Sequence, residues 1–185
     1  MRATFRLDLT IDDSGVSMKF LEIMTAYFQG EKIEALVFIL PLGLLSLVFG
    51  GWLLSDNAGG FARGVAIPFL VVGLVMTVVG GAVGFRTPSQ AATLQAALES
   101  EPEAAQRAEL ARMEKVNRAW PTYLIVWAAF GVVGLGLRFA TRGDFTQGLG
   151  IALVFFSGVG LLVDGFAERR ARPYTTALEQ ATRGD

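Results

Sequence analysis

The sequence predicts an all-α, polytopic membrane protein: four transmembrane helices as two tandem helical hairpins, plus amphipathic helices in the cytoplasm and at the membrane interface. Three observations carry this. Four apolar stretches, residues 33–54, 64–85, 120–137 and 148–166, are each about as long as a bilayer is thick. A helix rising about 1.5 Å per residue crosses the ~30 Å hydrocarbon core in roughly 20 residues with its backbone bonded internally. The chain is 52% hydrophobic and only 18% charged, too apolar for an ordinary soluble domain. Finally, of its 16 Lys and Arg residues, all but Arg63, Arg138 and Arg142 lie before the first stretch, between the second and third, or after the fourth. The positive-inside rule therefore places both termini and the central segment in the cytoplasm. The expected location is the plasma membrane, in a bacterium the inner membrane.

Residues 1–17 open the chain with Phe5, Leu7, Leu9 and Ile11 alternating with Arg6, Asp8, Thr10 and Asp12, the period of a half-buried strand. Three readings compete: an extended, disordered or appended leader ahead of an effective start at Met18, a strand added to a partner's sheet, or pairing between copies. No continuous apolar stretch of signal-peptide type precedes residue 30, so the first span acts as its own insertion signal. Residues 18–31 place Phe20, Ile23, Met24, Tyr27 and Phe28 on one helical face, with Gly30 as a natural stop. This reads as an interfacial amphipathic helix.

The first hairpin covers residues 32–86. Small residues recur in it at helix-packing spacing: Ser46 and Gly50, then Gly73, Thr77 and Gly81, with Gly80 and Gly84 offset. Between helices in lipid there is no hydrophobic drive, so close backbone approach across small residues is a main source of association. Pro41 and Pro68 each remove a backbone bond and predict kinks.

Residues 87–119 form the one sizeable polar stretch. Thr87-Pro88-Ser89-Gln90 and Ser100-Glu101-Pro102-Glu103 both read as helix starts, giving two consecutive cytoplasmic helices. Glu103 with Arg107, Glu109 with Arg112, and Glu114 with Arg118 are spaced three or four apart, as on a solvated helix. Leu94 on the first helix, and Leu110 and Met113 on the second, belong to narrow apolar stripes that either pack internally or dock a partner. The second hairpin, residues 120–168, and a basic tail, residues 169–185, complete the chain. Trp52, Trp120 and Tyr123 fall at the interfaces as belt anchors.

A shift of 84 positions aligns the two halves without a gap. It pairs Gly50 with Gly134, Phe61 with Phe145, Gly64 with Gly148, Ile67 with Ile151 and Arg86 with Arg170. Such a parallel repeat predicts a pseudo-twofold axis along the membrane normal.

The chain has no His and no Cys. That removes thiol nucleophiles, Ser-His-Asp triads, haem held by His or Cys, iron–sulfur clusters and the usual zinc sites. No catalytic, cofactor or metal residues are expected, and no nucleic-acid partner. Asp164 is the single acid well inside a span. A carboxylate near a helix C-terminus opposes the helix dipole and asks for a cation, with Arg169, Arg170 or Arg86 in reach. Beyond the bilayer, the expected partner is a protein bound through the cytoplasmic helices at Arg107, Arg112, Arg118, Leu94, Leu110 and Met113, or a second copy of the chain. The function expected is that of a non-enzymatic accessory subunit, assembly factor, regulator or immunity-type protein. A small oligomeric transporter or channel built from the duplicated hairpin is the alternative.

Overall fold

A computed structural model describes residues 18–55 and 59–183, and every element among them is helical. The leader, residues 1–17, lies outside the described residues. α1 (Met18–Ile33), a π-helical turn (Glu34–Ile39) and α2 (Leu40–Ser55) join end to end as one rod; α3 spans Gly60–Ser100, α4 Pro102–Ala140 and α5 Asp144–Arg183. Each of the four rods is long and apolar enough to cross a membrane. Along them large apolar side chains stand bare: Val48 is 71% exposed, Ile125 68% and Val132 72%. Water-soluble monomers rarely expose contiguous apolar patches of more than a few hundred Å², whereas lipid suits such a surface. The chain is a multi-pass membrane protein.

Continuity of the rods is the main departure from expectation. The helix does not stop at Gly30, because the glycine serves packing: a Cβ there would run into the Arg170 side chain. Pro88 lies inside α3 instead of opening a new helix. It withholds one N–H, and the preceding turn is braced by Thr87. The Thr87 hydroxyl sits 2.7 Å from the Val83 carbonyl and 3.0 Å from a Glu31 carboxylate oxygen. Pro173 likewise falls within α5. At Pro102 a helix does begin, with Glu101 as its N-cap.

The polar ends of the four rods gather into a head. Its core joins Phe20, Met24, Tyr27 and Phe28 of α1, Leu98 of α3, Ala105 and Met113 of α4, and Ala171, Tyr174 and Leu178 of α5. Tyr174 stacks on Tyr27 at 4.6 Å between ring centroids. Burying each large apolar side chain stabilises by about 1.5–3 kcal/mol, and this is why the apolar face of residues 18–31 is covered by protein instead of lying along an interface.

Below the head, the first rod packs along α3, α4 along α5, and α3 along α5. The apolar window of α4 is only 6% buried against 28% in α3 and α5, so α4 is peripheral and α3 and α5 central. In the first pair, a Cβ on Gly43 would lie 2.6 Å from the Thr77 nitrogen, one on Gly73 2.8 Å from the Ser46 Cβ, and one on Gly50 3.1 Å from the Ala66 carbonyl. Gly84 similarly admits the Leu36 side chain. Gly81, expected on this face, has nothing within 4 Å, and its neighbour Gly80 takes the place at 2.7 Å from the Leu40 nitrogen. Adjacent helical residues point about 100° apart, so only one of two consecutive glycines can face the seam.

The second pair repeats the approach farthest from the head, where a Cβ on Gly134 would lie 2.7 Å from the Gly150 carbonyl. Between the two central rods the contact is reciprocal. A Cβ on Gly64 would strike the Phe145 carbonyl and approach the Leu149 nitrogen, and one on Gly148 would strike the Phe61 carbonyl and approach the Val65 nitrogen.

Candidate functional site

Polar chemistry gathers at three levels along the rods. Deepest in the apolar region is Asp164 on α5. Its partner is not a cation: Trp127 Nε1 donates to Asp164 Oδ2 at 2.6 Å. The indole ring lies directly over Gly160, where any side chain would collide with it. Arg170, one of the expected partners, is engaged elsewhere. Trp127 carries no interfacial signal in the sequence that separates it from Trp120 or Trp52; only its spacing from Asp164 across the turn between α4 and α5 would have found it.

In the head, Glu109 is the hub. It is only 7% exposed, accepts two hydrogen bonds from Arg112 at 2.6 and 2.8 Å, and accepts a third from the Tyr174 hydroxyl at 2.9 Å. Arg112 also lies 6.0 Å from the centroid of the Phe28 ring. Burial pushes the Tyr174 hydroxyl above its ordinary pKa of 10.0, and the Glu109 charge adds to this. Burial, then Glu31, raises Tyr27 as well. Arg112 is raised by its hydrogen bonds to Glu109 and stays charged although burial opposes it.

This changes how the expected docking residues read. Met113 is fully buried, and Leu94 and Leu110 are half-buried against the same core. The apolar stripes are the inside of the head, because aromatic side chains of α1 cover them. Arg112 is held inward by Glu109. Arg107 and Arg118 remain exposed, Arg107 paired with Glu103 at 2.7 Å and Arg118 without an ion-pair partner among the described residues.

At the third level, between head and spans, Arg170 on α5 donates to Glu34 in the π-helical turn, tying the first rod to the last. Arg170 Nε is buried and has no hydrogen-bond partner among the described residues. This pair lies across a cavity of about 1120 Å³ between the first rod and α5, whose walls include Ile23, Ala26 and Tyr27 on the head side of the pair and Val37, Phe38, Leu45, Leu162 and Phe166 beyond it. Glu34 was legible only as a boundary residue, since nothing in the sequence links it to a cation 136 positions away. Among the described residues, no three acids lie close enough together to hold a metal ion.

Compared with protein-family models, curated proteins and solved structures, the chain matches none.

Proposed function

We propose that this chain is a non-enzymatic membrane protein that works by contact with another protein, its head and both termini lying in the cytoplasm. The supporting observation is the head itself: a packed body, built from all four rods, that projects beyond the apolar surface and presents Arg107, Lys115 and Arg118 of α4 in solvent. Charged rims of this kind steer association and select partners. The basic asymmetry of the sequence supports the orientation. The two pairs read best as tandem hairpins from a duplicated unit. In support, the Gly64 and Gly148 contacts exchange under the 84-residue shift, as do the Gly50–Ala66 and Gly134–Gly150 contacts.

A small transporter is the weaker reading, because Asp164, the carboxylate it would depend on, is taken up by Trp127. The two are separated in one experiment on the full chain. Charge reversal at Arg107 and Arg118 should abolish capture of the partner and the associated activity while leaving insertion and thermal stability unchanged. Ion-selective flux in proteoliposomes that vanishes with Asp164→Asn would replace this reading by transport.

A further inference from the structure

We infer that the cavity between the first rod and α5 is a binding groove for one anionic phospholipid of the leaflet on the head side. Its depth is the first argument. From Glu34 to Leu45 on one wall, and from Arg170 back to Val159 on the other, the groove runs eleven residues beyond the ion pair. At about 1.5 Å per residue this is about 16 Å, half of a ~30 Å hydrocarbon core. Beyond the ion pair the groove is therefore one leaflet deep. That suits a lipid's acyl chains, whereas a partner's spanning helix would meet walls along the full thickness.

Wall chemistry agrees. Close helix–helix approach in lipid needs small residues, and in α2 Gly43, Ser46 and Gly50 face α3. The groove instead presents Val37, Phe38, Leu42, Leu45, Leu162 and Phe166, an irregular bulky surface that flexible chains can follow. Its volume of about 1120 Å³ exceeds the ~300–1,000 Å³ of pockets for drug-sized ligands.

Charge selects the headgroup. Where the groove meets the head, its lining carries one carboxylate, Glu34, against two guanidinium groups, Arg169 and Arg170. Glu34 neutralises Arg170, and Arg169 is exposed without an ion-pair partner among the described residues. A phosphate at this height meets net positive charge and the N–H donors of Arg169, the combination that arginine offers phosphates. The inference needs only the membrane-spanning character of the rods, not the protein-contact reading.

The test is native mass spectrometry of the full chain released from nanodiscs containing equal phosphatidylglycerol and phosphatidylcholine. One retained phosphatidylglycerol per chain is expected. Arg169→Gln, at an exposed position, should lower the preference for phosphatidylglycerol about fivefold, the effect of one basic side chain at an anionic surface. Leu162→Trp, which fills the groove from a position 63% exposed, should remove the retained lipid without changing thermal stability. Equal retention of the two lipids, or a preference untouched by both substitutions, would overturn the proposal. So would a dimer that Leu162→Trp converts to monomer, which would assign the groove to a second copy.

Discussion

The two helix pairs solve the same problem with different materials. Farthest from the head they are alike: Gly50 lies against the Ala66 carbonyl in one and Gly134 against the Gly150 carbonyl in the other. Toward the head they part. The first pair keeps its backbones close through Gly43, Gly73 and Gly80, while the second lays the Trp127 ring over Gly160 and ties its helices by the Trp127–Asp164 hydrogen bond. Under the 84-residue shift, Gly43 corresponds to Trp127 and Gly80 to Asp164. At these corresponding positions the first pair makes two separate close contacts, Gly43 against Thr77 and Gly80 against Leu40, and the second makes one interhelical polar bond. An Asp facing glycine, or a Trp facing glycine without the acid, would leave either an unpaired polar group or a wedge.

The strongest way to break this comparison is at the point the pairs share. Gly64→Ile and Gly148→Ile each drive a side chain into the opposing backbone, which cannot step aside as a flexible side chain can. Each should cost at least about 3 kcal/mol, the upper range of overpacking, and thermal unfolding in detergent should show the two losses to be alike. A large difference between them would mean that the central contact is not reciprocal. Next in size, Gly80→Ile should destabilise by about 1–3 kcal/mol, whereas Gly81→Ile, with open space around it, should leave the melting temperature unchanged. Equal losses at the two positions would put the seam on the wrong face of α3.

In the second pair the cost should be milder. Trp127→Phe removes the donor and should cost about 0.6–2 kcal/mol, the range of interhelical hydrogen bonds in membranes. Asp164→Asn should cost less, since an amide oxygen still accepts from the indole. The reverse ranking, read from the same melts, would show that the carboxylate charge matters beyond this bond. The smallest expected effect is the pH dependence that the head tyrosines impose. Both Tyr27 and Tyr174 have pKa values raised above 10.0 by burial, so the folded state favours their neutral forms. Their stabilisation is fully present below about pH 10 and is lost as pH rises through the raised values. Unfolding followed from pH 8 to 12 should show an alkaline decline that Tyr174→Phe reduces; an unchanged decline would place its origin outside this network.

The spans were legible because bilayer thickness imposes a length and a composition that no other solvent demands, and the start at Pro102 because proline at a first turn has one meaning. Continuity through Pro88 was not legible: the brace on Thr87 comes from Glu31, on another rod. The apolar stripe at Leu94, Leu110 and Met113 was visible as a stripe, but periodicity names a face without naming what covers it. The same limit applies to Asp164, whose need for a partner follows from its depth while the identity of Trp127 follows only from the fold. At Gly80 and Gly81 the spacing supports either residue, and the choice belongs to the facing helix.

The π-helical turn Glu34–Ile39 has a consequence for how one rod serves two neighbourhoods. In an unbroken α-helix at about 100° per residue, the face carrying Phe20, Met24, Tyr27 and Phe28 would point about 90° away from the face carrying Gly43, Ser46 and Gly50. The turn inserts one residue into the register, with the Leu40 N–H reaching back five positions to the Ala35 carbonyl. That insertion rotates the upper half relative to the lower by about 100°. The two faces come into line on one side of the rod. The turn acts as a phase corrector, and deleting a single residue from it would twist the head's aromatic face out of the core while every residue of the rod remained helical.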